Sequence, residues 1–344
     1  MSRRALFLDR APGESRGVVT LDGRPERLLI LREGESPLTR AGARLAARVR
    51  KVEPAFVSAF VDLGGVEAFL PYRPEERPVQ GQLLEVEIRI EPRAEKLATV
   101  RAIGPAHGEP GLIAPAPDLA EQLAGFSRGA EILEGPEARR VADQAEAEAL
   151  ETVHPLPGGG SLAIEPTRAL VAVDVDLGAR TGQDAKRITR QTNLAALGEA
   201  ARLLRLKGLG GLVVVDLAGR GHDGNALLTA ARAAFAPDNP GVAIGPVSRF
   251  GTMELTVPRR VRSVREILDG PDGAPSDRTL ALRLVRAMET EALAQGGAQV
   301  EGRCAPSVAD AAGPLVERLV ARFGARFALH PEPRPRESLE AVAR

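Results

Sequence analysis

The chain of 344 residues has no tryptophan, one tyrosine and only 3 % aromatic residues, so its cores must be built from Leu, Val and Ala, which a hydrophobic content of 44 % allows. It has a single cysteine, Cys304, which excludes an intrachain disulfide and any multi-cysteine zinc site. Net charge is missing as well: Lys+Arg and Asp+Glu both number 46. A nucleic-acid binder usually carries a basic excess, because Lys and Arg displace condensed counterions from phosphates. The balance argues against a globally basic surface but leaves room for a local basic groove around an acidic site. No apolar run approaches the roughly 18 residues needed to span a bilayer, so no membrane segment is expected. The opening Met1-Ser2-Arg3-Arg4-Ala5-Leu6-Phe7-Leu8-Asp9 meets an acid before any long apolar core, unlike a secretory signal. The expected location is the cytoplasm.

The length leaves room for two to three domains of roughly 100–200 residues. Residues 5–32 alternate apolar and polar positions around an Asp22-Gly23 turn and read as a small antiparallel sheet. Residues 42–102 give five short strand candidates punctuated by Gly64-Gly65 and Gly81, which suits an OB-type barrel. Residues 104–157 change to Pro and Gly followed by an Ala/Glu-rich helical stretch, and read as a linker or small helical module. Residues 158–268 look α/β: a hairpin over 161–176, a long amphipathic helix over 184–207, a buried strand over 211–217, a helix over 225–235 and returning strands over 242–256. Residues 275–344 hold a further α/β unit with two helices and a strand. The boundaries expected are therefore 1–38, 39–103, 104–157, 158–268 and 275–344.

The sharpest local feature is Val171-Ala172-Val173-Asp174-Val175-Asp176, a hydrophobic strand ending in two acids spaced i, i+2. In a strand both acids point to the same face. A second buried strand, Leu212-Val213-Val214-Val215-Asp216, also runs straight into a carboxylate. The intervening helix is long enough to be a crossover, which would lay the two strands in one sheet with matching ends. Asp174, Asp176 and Asp216 would then meet at one rim. Carboxylates held that close repel one another unless a cation neutralises them, and hard oxygen ligands suit Mg²⁺ or Mn²⁺. The plainer reading of each aspartate alone is a turn former or helix cap.

From here the residues resemble the ribonuclease E/G family. The similarity runs from Gly159-Gly160-Ser161 through Asp174 and Asp176, continues over Gln191-Thr192-Asn193-Leu194 and residues 201–216, and closes on Val247-Ser248-Arg249-Phe250-Gly251-Thr252-Met253-Glu254-Leu255. Residues 7–30 are similar to the family's N-terminal strands, residues 52–71 to its inserted S1-type barrel, and residues 277–344 to its small C-terminal domain. The resemblance implies an α/β (α+β multidomain) chain: N-terminal strands with an S1-type OB barrel, a DNase I-like/RNase H-like α/β catalytic domain, and a small C-terminal α/β domain. It implies that Asp174 and Asp216 hold a catalytic Mg²⁺, with Mn²⁺ as the alternative and no zinc, and that Asp176 stands where the family carries a supporting asparagine. Phe60 and Phe69 match barrel aromatics that stack on RNA bases, the plainer alternative being core packing. Arg93 and Lys96, with Arg89, lie where the barrel carries basic groups, and a solvated strand edge is an equal alternative. Arg249 would neutralise phosphate charge near the metal, or pair with Glu254. Lys207 is a weaker candidate, and His222 reads as an exposed loop histidine.

Two family features are missing. Only residues 104–157 stand between the barrel and the catalytic segment, where the family carries a much longer stretch that senses an RNA 5′-monophosphate, and no Arg-Thr-Ala-Gly run of the kind that reads the 5′ end is present. In place of the family's Cys-Pro-x-Cys zinc link stands Asp269-Gly270-Pro271-Asp272-Gly273; a homodimer would have to form without zinc. The expectation is a metal-dependent endoribonuclease that cuts single-stranded RNA without 5′ sensing and leaves 5′-phosphate and 3′-hydroxyl ends. The alternatives are a catalytically inactive RNA-binding relative acting in rRNA maturation, and a scaffold whose barrel binds a protein.

Overall fold

The computed structural model describes residues 3–93, 96–127, 129–179 and 184–344. The chain opens with an antiparallel meander, β1 (Arg4–Ala11), β2 (Glu14–Leu21) and β3 (Arg24–Arg32). The turn between β2 and β3 is tight because Asp22 and Gly23 both take positive φ, 51° and 79°, the conformation that a hairpin turn needs and that Asp-Gly adopts at low cost.

Next come β4 (Arg44–Glu53), β5 (Ser58–Asp62), β6 (Glu67–Pro71), β7 (Leu83–Ile90) and β8 (Ala98–Pro105). Strand β4 pairs with both β5 and β7, β5 with β6, β6 with β8 in parallel, and β8 with β7, so the circuit closes. The closed barrel is consistent with an OB type, and its interior is filled by small and aliphatic side chains such as Leu45, Val49, Val61, Leu70, Val86 and Val100. Strand β9 (Gly111–Ala114) adds to the edge of β4.

Of the two readings of residues 104–157, linker or small helical module, the described residues follow the second. Helix α1 (Leu119–Phe126) buries Leu119 and Leu123 against Leu6, Leu8 and Val19 of the N-terminal meander. Strand β10 (Ile132–Leu133) pairs in parallel with β1. Helix α2 (Pro136–Leu150) places Ala138, Val141, Ala142 and Ala145 in a cluster shared with Phe7, Val18 and the strands that follow. Its alanines permit close approach, which their small size hides in a hydrophobicity pattern.

The central sheet contains β11 (Val153–Pro155), β12 (Ser161–Pro166), β13 (Val171–Asp176), β14 (Gly211–Asp216), β15 (Ala243–Val247) and β16 (Thr252–Val257), in the order β11-β12-β13-β14-β16-β15. Helix α3 (Ala185–Lys207) connects β13 to β14, which run parallel. It starts where the Asp184 side chain accepts a hydrogen bond from the Arg187 N–H and stops at Gly208, φ 67°; both are standard caps. Helix α4 (Gly224–Phe235) follows β14, and α5 (Val264–Leu268) follows β16. Helices α3 and α4 share the buried cluster with Val173, Val175, Val213, Val215, Met253 and Leu255. The opposite face of the sheet, with Ala172, Asp174, Leu212, Val214 and Asp216, is half-exposed or exposed.

The C-terminal unit is α6 (Asp277–Ala294), β17 (Val300–Cys304), α7 (Pro306–Phe323), β18 (Phe327–Pro331) and β19 (Glu340–Ala343), with β17 between its two strand partners. Strands β17 and β19, five and four residues long, are too short to signal themselves in the sequence. Cys304 is buried in this unit's core. Among the described residues no helix is long and apolar enough to cross a membrane.

Beside the apolar contacts of α2 with the meander, a buried ionic layer joins the meander, α2 and α6. Arg16, 1 % exposed, donates to Asp9 at 2.6 Å, to Asp143 at 2.7 Å and to Glu146 at 3.1 Å. Arg139 links Asp9 to Glu289 of α6, and Arg283 and Arg286 of α6 reach Glu146 and Glu14. Arg32 donates to Glu14, to the Ile267 carbonyl and to Thr279. Burial alone would raise the pKa of Asp9 and Glu146, but the surrounding guanidiniums outweigh it and hold both below their ordinary values of 3.8 and 4.5. Their contribution to stability is therefore present above those values and is lost as pH falls through the depressed ones. Thermal midpoints are expected to stay flat from neutrality to about pH 5 and to fall steeply below it; a flat profile down to pH 3 would contradict this. Arg16→Met removes the buried guanidinium shared by Asp9, Asp143 and Glu146 and is expected to lower unfolding free energy by about 3–5 kcal/mol in urea titration.

Candidate active site

The parallel register sets Asp174 directly opposite Asp216, and the antiparallel partners extend the row to Ala163 on one side and Thr252 on the other. Alternation explains why these acids face solvent: Val171, Val173 and Val175 point to the helices, so Asp174 and Asp176 point away. Neighbouring strands lie about 4.8 Å apart, so the Asp174 and Asp216 carboxylates spring from adjacent backbones. Among the described residues neither carboxylate has a hydrogen-bond or ion-pair partner.

Asp176 shares the rim but not the pairing. Its Oδ1 accepts the Gly178 N–H at 2.9 Å and so holds the turn that leaves β13. Among the described residues no group of three or more His, Cys, Asp or Glu side chains is arranged to hold an ion. The donor set is thus two carboxylates without imidazole or thiolate. That fits a hard divalent cation such as Mg²⁺, which commonly binds through one or two carboxylates and completes its shell with water and substrate oxygens.

Several contacts fix the rim, made by residues to which sequence reading assigned no role. Asn193 on α3 donates to the Ala218 carbonyl and accepts from the Ala218 N–H, both at 3.0 Å, clamping the loop that follows Asp216. Gly219 leaves no room for a side chain: an added Cβ would stand 2.8 Å from Thr189. Gly160 is equally confined, because a Cβ there would meet the Asp176 carbonyl at 2.5 Å. On the far side the Ser248 and Thr252 hydroxyls bond at 2.8 Å, and the Leu217 N–H donates to the Gly251 carbonyl at 3.1 Å.

The remaining candidates separate. Arg249 is exposed, with its guanidinium 4.6 Å from the centre of the Phe250 ring rather than paired with Glu254. His222 tucks beneath this turn instead of standing free in the loop, and its Nε2 is buried. Phe60 and Phe69 are cross-strand partners on the barrel, half-buried, with ring centres 6.0 Å apart at 70°. Lys96 is exposed and its backbone bridges Arg93. Arg93 departs from the expectation of a free barrel cation. Its Nη1 is buried without a partner, facing Arg259 and Glu266 just beyond β16. The Glu91 N–H donates to the Arg260 carbonyl beside it. Strand β16 runs from Thr252 at the rim to Val257, and at about 3.4 Å per residue the Arg93 contact lies roughly 20 Å from the aspartates. Lys207 is also structural: 5 % exposed, it donates to the Ala149 and Glu151 carbonyls, and burial together with Arg265 pushes its pKa down to about 8.

Comparison with known proteins bears on this same region. The ribonuclease E/G family model matches residues 128–260, a range that contains both aspartates, the Asn193 clamp and the Ser248–Thr252 turn. Through this segment the chain is similar to the ribonuclease E/G family. Ribonuclease E of Haemophilus influenzae is 35 % identical over 155 residues, 42 % of this chain and 17 % of that protein. Ribonuclease E of Escherichia coli is 34 % identical over 155 residues, 42 % of this chain and 15 % of that protein. The chloroplastic ribonuclease E/G-like protein of Arabidopsis thaliana is 36 % identical over 122 residues, 34 % of this chain and 12 % of that protein. The chain thus matches less than a fifth of the length of these relatives.

Replacing Asn193 by Ala leaves the buried Ala218 N–H and carbonyl without partners. A loss of about 2–4 kcal/mol in unfolding free energy is expected, with faster hydrogen exchange confined to residues 217–223. Unchanged exchange there would show that Asn193 does not hold the loop.

Proposed function

We propose that this chain is an endoribonuclease acting on single-stranded RNA, with Asp174 and Asp216 as the pair that holds a divalent cation. The observation that carries the reading is the direct cross-strand pairing of two partnerless carboxylates at the end of the central sheet. Mg²⁺ is the cation that the donor set favours, with Mn²⁺ as an alternative. When bound it would supply a Lewis acid beside a phosphodiester and lower the pKa of water. The chain's own residues do the rest. Asp174 and Asp216 present a negative pair on a rigid sheet, Asn193 keeps the Asp216 loop from shifting, and Asp176 holds the turn after β13.

An acidic pair repels RNA unless positive charge surrounds it. Lys186, Arg187 and Arg190 lie on the first turns of α3, Arg220 follows Asp216 in its loop, and Arg249 stands on the neighbouring turn. Lys186 and Arg220 have no ion pair among the described residues, and both are exposed. This collar of cations would take up phosphates on either side of the scissile bond. Phe60 and Phe69 offer the barrel's stacking surface for bases, and Lys96 a further phosphate contact. Cleavage is proposed to be indifferent to the 5′ phosphate, because the chain carries only residues 104–157 between barrel and site and packs them as structure. RNA binding without cleavage is the second reading, favoured by the absence of a third acidic ligand among the described residues.

The test is cleavage of a labelled, unstructured AU-rich RNA bearing 5′-phosphate or 5′-hydroxyl ends, with Mg²⁺, Mn²⁺ or EDTA. Wild type is expected to cut both ends equally in metal and not in EDTA. Asp174→Asn and Asp216→Asn are expected to lose at least about 100-fold in rate while folding normally. Binding without cutting under every metal would establish the second reading.

A further inference from the structure

Phenylalanine is scarce in this chain, nine residues in all, yet Phe250 lies 76 % exposed on the turn between β15 and β16. Burying a Phe side chain fully stabilises a fold by about 1.5–3 kcal/mol, so a ring left in water contributes little of that to folding. Its backbone is not loose. The Phe250 N–H donates to the Ser248 hydroxyl at 3.2 Å, the Gly251 N–H to the Ser248 carbonyl at 3.1 Å, and the Ser248 N–H to the Thr252 carbonyl at 2.8 Å. Gly251 takes φ +90°, which a side-chain-bearing residue rarely adopts. The turn is hydrogen-bonded to Leu217, the residue after Asp216, and Thr252 pairs directly with Asp216. A rigid, solvent-facing ring therefore stands two residues from the row that carries the aspartates.

One side of the ring is already met by the Arg249 guanidinium, 4.6 Å from its centre. The cation–π contact restrains both side chains and leaves the other side of the ring for a planar partner. The cations around the rim favour a polyanion as the owner of that partner. We propose that Phe250 is a stacking platform for one base of a single-stranded RNA lying across the Asp174–Asp216 pair. Arg249 fixes the ring from behind and reaches the adjacent phosphate. The inference rests on the RNA reading above and deepens it by assigning a base subsite on the catalytic rim, separate from the Phe60–Phe69 pair on the barrel. A bare ring presents no hydrogen-bonding edge, so the subsite takes any base and excludes one locked in a duplex.

The experiment is fluorescence anisotropy in EDTA with a fluorescein-labelled single-stranded RNA decamer of mixed sequence and a blunt RNA duplex. The proteins are wild type, Phe250→Ala, Phe250→Trp and Phe60→Ala. Phe250→Ala is expected to weaken single-strand binding by about 5- to 100-fold, Phe250→Trp to restore it, and duplex binding to stay unchanged. If Phe250→Ala binds the single strand like wild type while Phe60→Ala weakens it, the platform is refuted and the RNA reading stands. Equal losses in Phe250→Ala and Phe250→Trp, or a parallel loss on duplex, would also overturn it by making the ring a structural element. No RNA binding by wild type would sink the RNA reading itself.

Discussion

The parallel register of β13 and β14 is the constraint on which the rest of the site depends. A slip of one residue would turn Asp174 into the helix-covered face and bring Val173 or Val175 into solvent. The valines prevent that slip, since their burial under α3 and α4 is possible in one phase only. The same hydrophobic alternation that builds the core therefore places two carboxylates side by side at the edge where both strands end. The loops at that edge are then held by contacts that do not involve the acids: Asn193 to Ala218, Gly219 against Thr189, Gly160 against Asp176, and Gly251 to Leu217. Positioning and charge are thus supplied by different residues, so the acids need no protein partners of their own.

The barrel and the aspartate rim occupy opposite ends of β16. The barrel's β7–β8 connection lies against residues 259–262, where Arg93 faces Arg259 and Glu266 and where Arg262 pairs with Glu35 and Glu91. Contacts of this kind hold the barrel to the sheet near its far end and leave the rim open. Arg93, which the family resemblance suggested as an RNA contact, lies at this joint, whereas the Phe60–Phe69 pair stands half-buried on the barrel.

Much of this was legible in the sequence, for a physical reason in each case. Strand and helix periods located β13, α3 and β14, because core burial enforces them, and the i, i+2 acids followed from strand alternation alone. Asp22-Gly23 announced its hairpin, because few residues tolerate those dihedrals. The Ala/Glu-rich run announced helix α2 but not the cluster it joins, because alanines give a weak periodic signal. Two further things were not legible. Strands β17 and β19 take their stability from neighbours distant in sequence. The ionic layer around Arg16 was hidden because two paired strands, β1 with Asp9 and β2 with Glu14 and Arg16, read as having a solvent face, whereas that face is buried against α2 and α6. At the site, the resemblance identified the segment, but only coordinates separate Asp176, engaged by Gly178, from the open pair. They also separate Lys207, a buried brace, from the free cations of the rim.

The ionic layer also explains why net charge was a poor guide. A balanced total of 46 cations and 46 anions says nothing about where either sign is spent. Many of the arginines are consumed inside, as Arg16, Arg32, Arg139, Arg202 and Arg286 are, each bound to carboxylates that cancel its field. Internal pairs of this kind add equally to both totals and nothing to the outer potential. The field felt by a polyanion is set by what is left unpaired near the open rim: among the described residues Lys186, Arg220 and Arg249 carry no ion pair, whereas Arg190 leans on Asp223 at 3.5 Å and Arg187 on Asp184 at 2.9 Å. Screening limits each charge to a reach of roughly 8–10 Å in physiological salt, so more distant acids do little to weaken these charges. Zero net charge is therefore compatible with unpaired cations beside an acidic pair, which is the distribution that the proposed phosphodiester substrate would need.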